Sequence, residues 1–466
     1  MTKIKFGTDG WRAIIGDEFT FDNVRLVSQA IADYVGGGST IVVGYDTRFL
    51  GREFAEAVCA VMAGNNIKTL LSDTHTSTPA VSLAIKQNKL AGGIVVTASH
   101  NPPQYSGIKF KADYAGPADP EIIAEIEAAL GRTPIKTMPV KEAQEKGLLK
   151  KVDLNAPHIQ FMRSYLDMGL LKRSDFRVLV DVMHGAGGYL AKEVLKESNC
   201  RVDTIHADLN PGFGGIHPEP IAHNLKELME TVKSKKYHIG LATDGDVDRI
   251  GAVDEDGKFV PPLKIIALIL LHFIEDKKWG GGVVKTISSS FQIDTIAEAN
   301  GLKLYETPVG FKHICQLMRA EDILIGGEES GGIGFKNYIP ERDGTLAGLL
   351  LVEMMAHRKK SLKGLLSDME RAYGPFCQER IDTKFPNEKK APLFEKLKAD
   401  PPADILGQKI VEIKAYDGVK FICEDKSWLL FRASGTEPIL RIYAEANSDK
   451  KLKELLKFGK DLAFSV

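Results

Sequence analysis

Short apolar, β-branched runs alternate with longer stretches of helical period along most of the chain. TIVVGYD from Thr40 predicts a strand, 49–63 a helix with Phe54, Val58, Val61 and Met62 on one face, IKTLLSD at 67–73 a strand, 79–90 a helix, and GGIVVTAS at 92–99 a third strand. Strand–helix–strand alternation implies parallel sheets covered by helices. The same grammar returns in FRVLVDV at 176–182, RVDTIHA and HIGLATD, with helices over 190–197 and 224–233. It returns again in GGVVKTIS at 281–288, LKLYETP at 302–308 and ILIGGEE at 323–329, with helices over 294–300 and 311–319.

The last part of the chain changes character. Two helical stretches, 345–359 and 362–373, lead into GPF at Gly374. Beyond it, KIVEIKAYDGVKFICEDKSWLLFRASG predicts antiparallel hairpins turning at 417–418 and 424–426, and 450–462 predicts a closing helix. The Pro- and Lys-rich stretch 383–402 reads as surface loop and helix. The expected fold class is α/β: three similar α/β domains with mixed, mainly parallel sheets, at 1–150, 151–257 and 258–373, plus a smaller C-terminal α+β domain at 374–466. The likeness among the three is one of pattern, since no close sequence repeat is visible.

Composition narrows the class of protein. Of 466 residues, 61 are Lys or Arg and 62 Asp or Glu, a balance that argues against binding a nucleic-acid backbone. The five cysteines, Cys59, Cys200, Cys315, Cys377 and Cys423, are scattered without a C-x-x-C pair, as for free thiols in a reducing compartment. MTKIKFGTDGWR has no apolar core of a signal peptide, and the longest apolar run, 265–271, is too short to span a bilayer. The expectation is a soluble, cytoplasmic protein with neither membrane nor nucleic-acid partner.

Candidate chemistry sits where apolar strands end abruptly in polar clusters: IVV into TASHNP, IGLA into TDGDVDR, and ILI into GGEESGG. Ligands of parallel α/β sheets bind beyond the carboxyl ends of strands, so three such ends could meet in one cleft. In TASHNP the turn forced by Asn101–Pro102 would expose the Ser99 hydroxyl; the bland alternative is a turn serine bonded to local backbone. Asp244, Asp246 and Asp248 alternate, so extended backbone would place their carboxylates on one face, where a hard cation such as Mg²⁺ or Ca²⁺ relieves their repulsion. The spacing is not an EF-hand, because Arg249 occupies the position that needs glycine and strands flank the loop. In GEESGG, Glu328, Glu329 and Ser330 suit the hydroxyls of a sugar. In RASGTEP, Arg432 offers a planar fork, Ser434 and Thr436 add hydroxyls, and Gly435 lets backbone approach a phosphate. A nucleophile, a hard-metal site, a polyol site and a phosphate site are the parts of phosphoryl transfer on a sugar phosphate.

With TASHNP, DGDVDR, GEESGG and RASGTEP in this order, nearly the whole chain resembles the α-D-phosphohexomutase family. The resemblance implies four domains around a central cleft and a phosphoryl group carried on Ser99. Asp244, Asp246 and Asp248 would hold Mg²⁺ with a phosphoserine oxygen, and Arg249 would contact the phosphoserine region. Glu328 and Ser330 would bind sugar hydroxyls, while Arg432, Ser434, Gly435, Thr436 and Arg441 would hold the phosphate that does not react. GTDGWR resembles the family's N-terminal element and implies that Arg12 reaches the cleft. GIKF places Lys109 near the nucleophile, where it or His100 would assist proton transfer. VGFK places Lys312 on a substrate loop, and ERDG puts Arg342 where some members have lysine. Glucose 1,6-bisphosphate would serve as primer and intermediate. The loop NPPQYSGIKF lacks the glycines that follow Asn-Pro in some members. The third motif ends in Gly331–Gly332, where dual-specificity mannose/glucose members and glucosamine mutases have Gly-His, which points toward glucose.

Two other readings use the same residues: a metal-dependent phosphatase in which water intercepts phospho-Ser99, and a sugar-phosphate-binding protein without catalysis. Small sugar phosphates are the expected partners, of a monomer or homodimer.

Overall fold

The computed structural model describes residues 4–7, 9–433 and 438–465. The chain divides into two compact units, one comprising residues up to Gly281 together with Gly310–Leu365, the other Gly282–Val309 together with the residues from Leu366 onward.

In the first unit, a six-stranded sheet has the order Trp11–Ile14, Tyr105–Ala112, Gly92–Val96, Thr40–Tyr45, Lys68–Ser72, Leu149–Val152. Thr40–Tyr45 is parallel to both of its neighbours, whereas Tyr105–Ala112 runs antiparallel to both of its own. The central strand Gly92–Val96 is buried at every position, as expected for a strand covered by helices on both faces. A second, five-stranded sheet has the order Phe259–Val260, Ile250–Val253, Ile239–Thr243, Arg177–Asp181, Arg201–Ile205, with its three-strand core parallel. A third element pairs Ile323–Gly327 with Ile333–Phe335 in antiparallel fashion. The mixed sheets and their helices are those of an α/β fold.

The helices begin where the sequence supplies caps. Ser77 Oγ accepts from Ala80 N before Thr78–Asn88, with Pro79 in the first turn, and Asp343 Oδ1 accepts from Leu346 N before Gly344–Arg358. Both caps lie beside the functional residues described below. The stretch 101–110, the loop after Ser99 by resemblance, instead enters the strand Tyr105–Ala112, which is paired on both edges.

In the second unit, Gly282–Thr286 and Leu304–Thr307 form a parallel pair. An antiparallel six-stranded sheet has the order Cys377–Lys384, Ile439–Ala446, Trp428–Ala433, Val419–Cys423, Gln408–Lys414, Asp404–Ile405, backed by helices Asn387–Ala399 and Asp449–Phe464. Gly282–Val309 goes with this sheet because its apolar side is used there: Ile287 clusters with Ile422, Trp428, Leu430 and Tyr443, and Lys420 Nζ donates to Ile287 O at 2.7 Å. Among the described residues, no helix is long and apolar enough to cross a membrane.

Candidate active site

The strand Gly92–Val96 runs into Ser99, Ile239–Thr243 into Asp244, and Ile323–Gly327 into Glu328. All three ends belong to the first unit. Where the sequence predicts an exposed Ser99 hydroxyl, the structure buries it, with the residue 1% exposed. The cause is Arg48, whose guanidinium draws the loop inward by donating to the carbonyls of Ser99 (2.6 Å), Asn101 (2.7 Å), Pro102 (2.9 Å) and Tyr105 (2.9 Å). Arg48 is itself held by Asp46 at 3.1 Å and lies over the Phe213 ring at 4.9 Å. Thr97 Oγ1 donates to Asp46 Oδ2 and accepts from Ser99 N, so the residues flanking the hydroxyl are tied from both sides. Ser99 has φ +53°, a left-handed conformation that a non-glycine residue adopts only when its surroundings over-determine it.

Ser99 Oγ donates to Asp244 Oδ2 at 2.8 Å and lies 3.4 Å from His100 Nδ1. The two loops meet this closely because residue 245 is glycine; a Cβ there would come within 2.6 Å of Ser99 O.

Asp244, Asp246 and Asp248 are fully buried and offer ligand oxygens within 4.8 Å of one another. They do not converge as extended backbone would have it. Val247 N donates to Asp244 O at 3.1 Å and Val247 has φ +69°, so a tight turn, not pleat alternation, aims the carboxylates together. Burial and repulsion from Asp248 and Asp246 push the Asp244 carboxyl well above its usual range. Burial would do the same to Asp246, but the charge and hydrogen bond of Lys109 reverse the effect and lower it. Asp246 Oδ1 and Asp248 Oδ1 are buried with no hydrogen-bond partner among the described residues. Buried carboxylate oxygens without donors are costly, and an all-oxygen donor set suits a hard divalent cation. The residues therefore fit a metal ion.

The remaining oxygens are engaged. Lys109 Nζ, on the strand Tyr105–Ala112, donates to Asp246 Oδ2 (2.7 Å) and Asp248 Oδ2 (2.9 Å) and sits 3.1 Å from Asp9 Oδ2. Burial would lower the Lys109 pKa, but Asp246, Asp248 and Asp9 overcome it and hold the ammonium charged. Thr78 Oγ1 donates to Asp246 Oδ2 at 2.5 Å. Arg342 Nη2 lies 2.7 Å from Asp248 Oδ2 and 2.6 Å from Asp9 Oδ2. Asp244 Oδ1 accepts from Arg249 N at 3.1 Å.

The other sequence-derived residues fall around this cluster. Arg12 Nη1 donates to Asn101 Oδ1 at 2.6 Å, bracing the Ser99 loop. Arg249 turns its side chain to Glu219, 3.3 Å away. Burial, with the nearby charges of Arg249, Arg12, Lys109 and Arg48, holds His100 neutral well below its usual pKa. Glu328 Oε1 accepts from Gly310 N at 3.0 Å, and burial, countered by Arg342, pushes its carboxyl up to about 7. Ser330 is half-buried in the turn that Gly331 N closes onto Glu328 O, and Lys312 is half-buried in the first turn of Phe311–Ala320.

In the second unit, Arg432 and Arg441 stand directly opposite each other on paired strands. Arg432 Nε is held 3.0 Å from both Asp417 oxygens, while Arg441 Nε is buried with no partner among the described residues. Like charges in opposed positions destabilise a strand pair, and an anion relieves them. Ser434, Gly435 and Thr436 lie outside the described residues.

Pattern reading missed Arg48, Asp46, Thr78, Asp9 and Glu341. Asp9 lies within GTDGWR, and Thr78 within the cap signal Ser77-Thr78-Pro79, but neither signal says what the side chain touches.

Residues 3–134, 156–257 and 261–373 match phosphoglucomutase/phosphomannomutase α/β/α domains I, II and III, and 381–458 match the C-terminal domain. The chain belongs to the phosphoglucomutase/phosphomannomutase family. Similar proteins include a phosphoglucomutase/phosphomannomutase from Thermococcus kodakarensis, 32% identical over 458 residues and covering 97% of each chain. A Thermococcus gammatolerans protein named as a phosphoglucosamine mutase is also 32% identical, over 98% of this chain and 97% of its own. The crystal structure of a Thermus thermophilus protein named as a phosphomannomutase has 33% identity, a TM-score of 0.86 and 99% coverage of both chains. As a member of this family the chain is a phosphohexomutase, by chemistry an intramolecular phosphotransferase.

Proposed function

We propose that the protein is a magnesium-dependent phosphoglucomutase interconverting glucose 1-phosphate and glucose 6-phosphate, with mannose phosphates as secondary substrates, acting in the cytoplasm. The observation that carries this reading is the 2.8 Å contact of Ser99 Oγ with a carboxylate of the three-aspartate cluster, which puts a phosphoryl acceptor against a hard-cation site. When bound, Mg²⁺ neutralises charge on the transferring phosphoryl group.

The chain's own residues do the rest. Phospho-Ser99 gives its phosphoryl group to a sugar hydroxyl: the Ser99 O–P bond breaks, the sugar O–P bond forms, and the hydroxyl proton leaves. His100, whose Nδ1 lies 3.4 Å from Ser99 Oγ, takes that proton, since the Lys109 ammonium is committed to Asp246, Asp248 and Asp9. The resulting glucose 1,6-bisphosphate returns its other phosphate to Ser99 after reversing in the site. Arg12 steadies the Ser99 loop through Asn101. Glu328 and Ser330 read the sugar hydroxyls, Lys312 binds substrate from its own loop, and Arg432 and Arg441 take the phosphate that does not react.

The preference for glucose rests on the Gly331–Gly332 ending of the third motif, where mannose/glucose and glucosamine members have Gly-His. A Cβ at Gly332 would fall against Arg342 Cδ, and Arg342 is fixed by Asp9 and Asp248. Gly332→Ala or Gly332→His therefore has to displace a guanidinium that touches the aspartate cluster. The expected result for Gly332→His is a loss of at least about tenfold in kcat/KM for glucose 1-phosphate, equivalent to about 1.4 kcal/mol. Coupled assays of wild type and variant on the 1-phosphates of glucose, mannose, glucosamine, N-acetylglucosamine and ribose test both points. A wild type that turns over glucosamine 1-phosphate faster than glucose 1-phosphate would overturn the glucose assignment.

A further inference from the structure

Asp246 and Asp248 each have one oxygen committed to the protein, whereas both oxygens of Asp244 accept hydrogen bonds, from Ser99 Oγ and Arg249 N. Asp246 Oδ2 accepts from Thr78 Oγ1 (2.5 Å) and Lys109 Nζ (2.7 Å), and Asp248 Oδ2 faces Lys109 Nζ (2.9 Å) and Arg342 Nη2 (2.7 Å). Two donors fill the two lone pairs of a carboxylate oxygen. The Oδ1 atoms of the same residues have no hydrogen-bond partner among the described residues. The two cations are gripped from the far side as well, since Asp9 Oδ2 lies 3.1 Å from Lys109 Nζ and 2.6 Å from Arg342 Nη2. Asp9 Oδ2 and Asp248 Oδ2 thus share the same two donors, closing a ring of alternating charge. Behind it, Lys111 Nζ lies 3.3 Å from Asp9 Oδ1 and 2.6 Å from the fully buried Glu341.

We propose that Thr78 and Asp9 are positioning residues that confine Asp246 and Asp248 to single-oxygen ligation, so that the cluster selects a small octahedral cation over a larger one. The inference rests on the metal site proposed above. Mg²⁺ is content with one oxygen from each carboxylate, whereas Ca²⁺ takes six to eight oxygens and commonly uses both oxygens of a carboxylate. A cation asking for Asp246 Oδ2 has to strip it of a hydroxyl and an ammonium. One asking for Asp248 Oδ2 has to strip it of an ammonium and a guanidinium. Asp9 makes that displacement harder, because Lys109 and Arg342 cannot swing away without leaving a second buried carboxylate unpaired.

The test is isothermal titration calorimetry of MgCl₂ and of CaCl₂ into the full-length wild-type protein and the variants Thr78→Val, Thr78→Ser and Asp9→Asn. The substitutions are small, and the ratio of two cations' affinities does not depend on the fraction of protein that is folded, because that fraction scales both apparent constants alike. The expected result is a wild type that prefers Mg²⁺, with the Mg²⁺/Ca²⁺ affinity ratio falling about tenfold in Thr78→Val and in Asp9→Asn through tighter Ca²⁺ binding, the scale of losing one charge-assisted hydrogen bond. Thr78→Ser, which keeps the hydroxyl, should hold the wild-type ratio. Unchanged ratios in both Thr78→Val and Asp9→Asn, or equal weakening of both cations, would overturn the inference while leaving the metal site intact. A wild type that binds neither cation would overturn the metal site itself.

Discussion

Ser99→Ala should reduce turnover of every accepted sugar phosphate by at least about 10⁴-fold, or about 5.5 kcal/mol of transition-state stabilisation. The hydroxyl is the group that bonds Asp244, and no second hydroxyl is bonded to that carboxylate among the described residues. The backbone allows a sharper version of the same experiment. Ser99 sits at φ +53°, a conformation that glycine adopts without the Cβ penalty. Ser99→Gly should therefore be as inactive as Ser99→Ala yet more stable than it, by about 0.5–1.5 kcal/mol in denaturant unfolding. A loss of activity caused by a disordered loop would follow stability across the two variants. A loss caused by the missing hydroxyl would not, and equal inactivity at unequal stability is the expected outcome. Wild-type turnover in either variant would remove Ser99 from the chemistry.

The second large effect concerns the three aspartates, which should separate activity from stability in opposite directions. Asp244→Asn and Asp246→Asn should each lower kcat/KM by at least about 10³-fold, as the loss of a ligand to the charge-stabilising cation requires. In metal-free buffer their stabilities should diverge. The Asp244 carboxyl is raised by burial and by its two neighbours, so it binds its proton more tightly folded than unfolded. Its ionisation therefore costs native stability progressively as pH rises above the usual carboxylate value. A neutral Asn at 244 removes that cost at pH 7 and should raise the melting temperature. Asp246 is lowered by Lys109 despite its burial, so its negative charge supports the fold, with a contribution that is lost only as pH falls through its depressed pKa. Asp246→Asn deprives a buried ammonium of one of its three carboxylates and should cost about 1.5–3 kcal/mol. Thermal melts of the two variants in EDTA at pH 7 check the signs. A destabilised Asp244→Asn would contradict the repulsion described at this position.

Residue type was legible in the sequence wherever chemistry depends on it. DGDVDR announces a hard-metal site through three carboxylates, and the strand ends at Ser99, Asp244 and Glu328 follow from apolar runs that stop abruptly. Geometry was legible only where it follows from periodicity. The aspartates converge through a turn with Val247 at φ +69°, which no alternation rule supplies. Burial of Ser99 escaped the pattern because it comes from Arg48, whose four carbonyl partners lie across a loop far along the chain. Thr78 meets Asp246 across 168 positions and Asp9 meets Arg342 across 333, distances at which local pattern carries no information. The strand Tyr105–Ala112 was hidden by Pro102, Pro103 and Gly107, although IKFKA alternates as a strand should. Lys109 owes its place among the carboxylates to that strand.

The most direct test is a single turnover. Protein labelled with radioactive phosphate at Ser99 is mixed with excess unlabelled glucose 1-phosphate and quenched over a time course, and the label is followed through protein, sugar bisphosphate, sugar monophosphate and inorganic phosphate. Transfer of the label from Ser99 to glucose 1,6-bisphosphate and then to glucose 6-phosphate, at a rate no slower than steady-state turnover, is the expected result. Label released as inorganic phosphate without bisphosphate would show a phosphatase, and label that stays on the protein while glucose 6-phosphate accumulates would remove phospho-Ser99 from the reaction path.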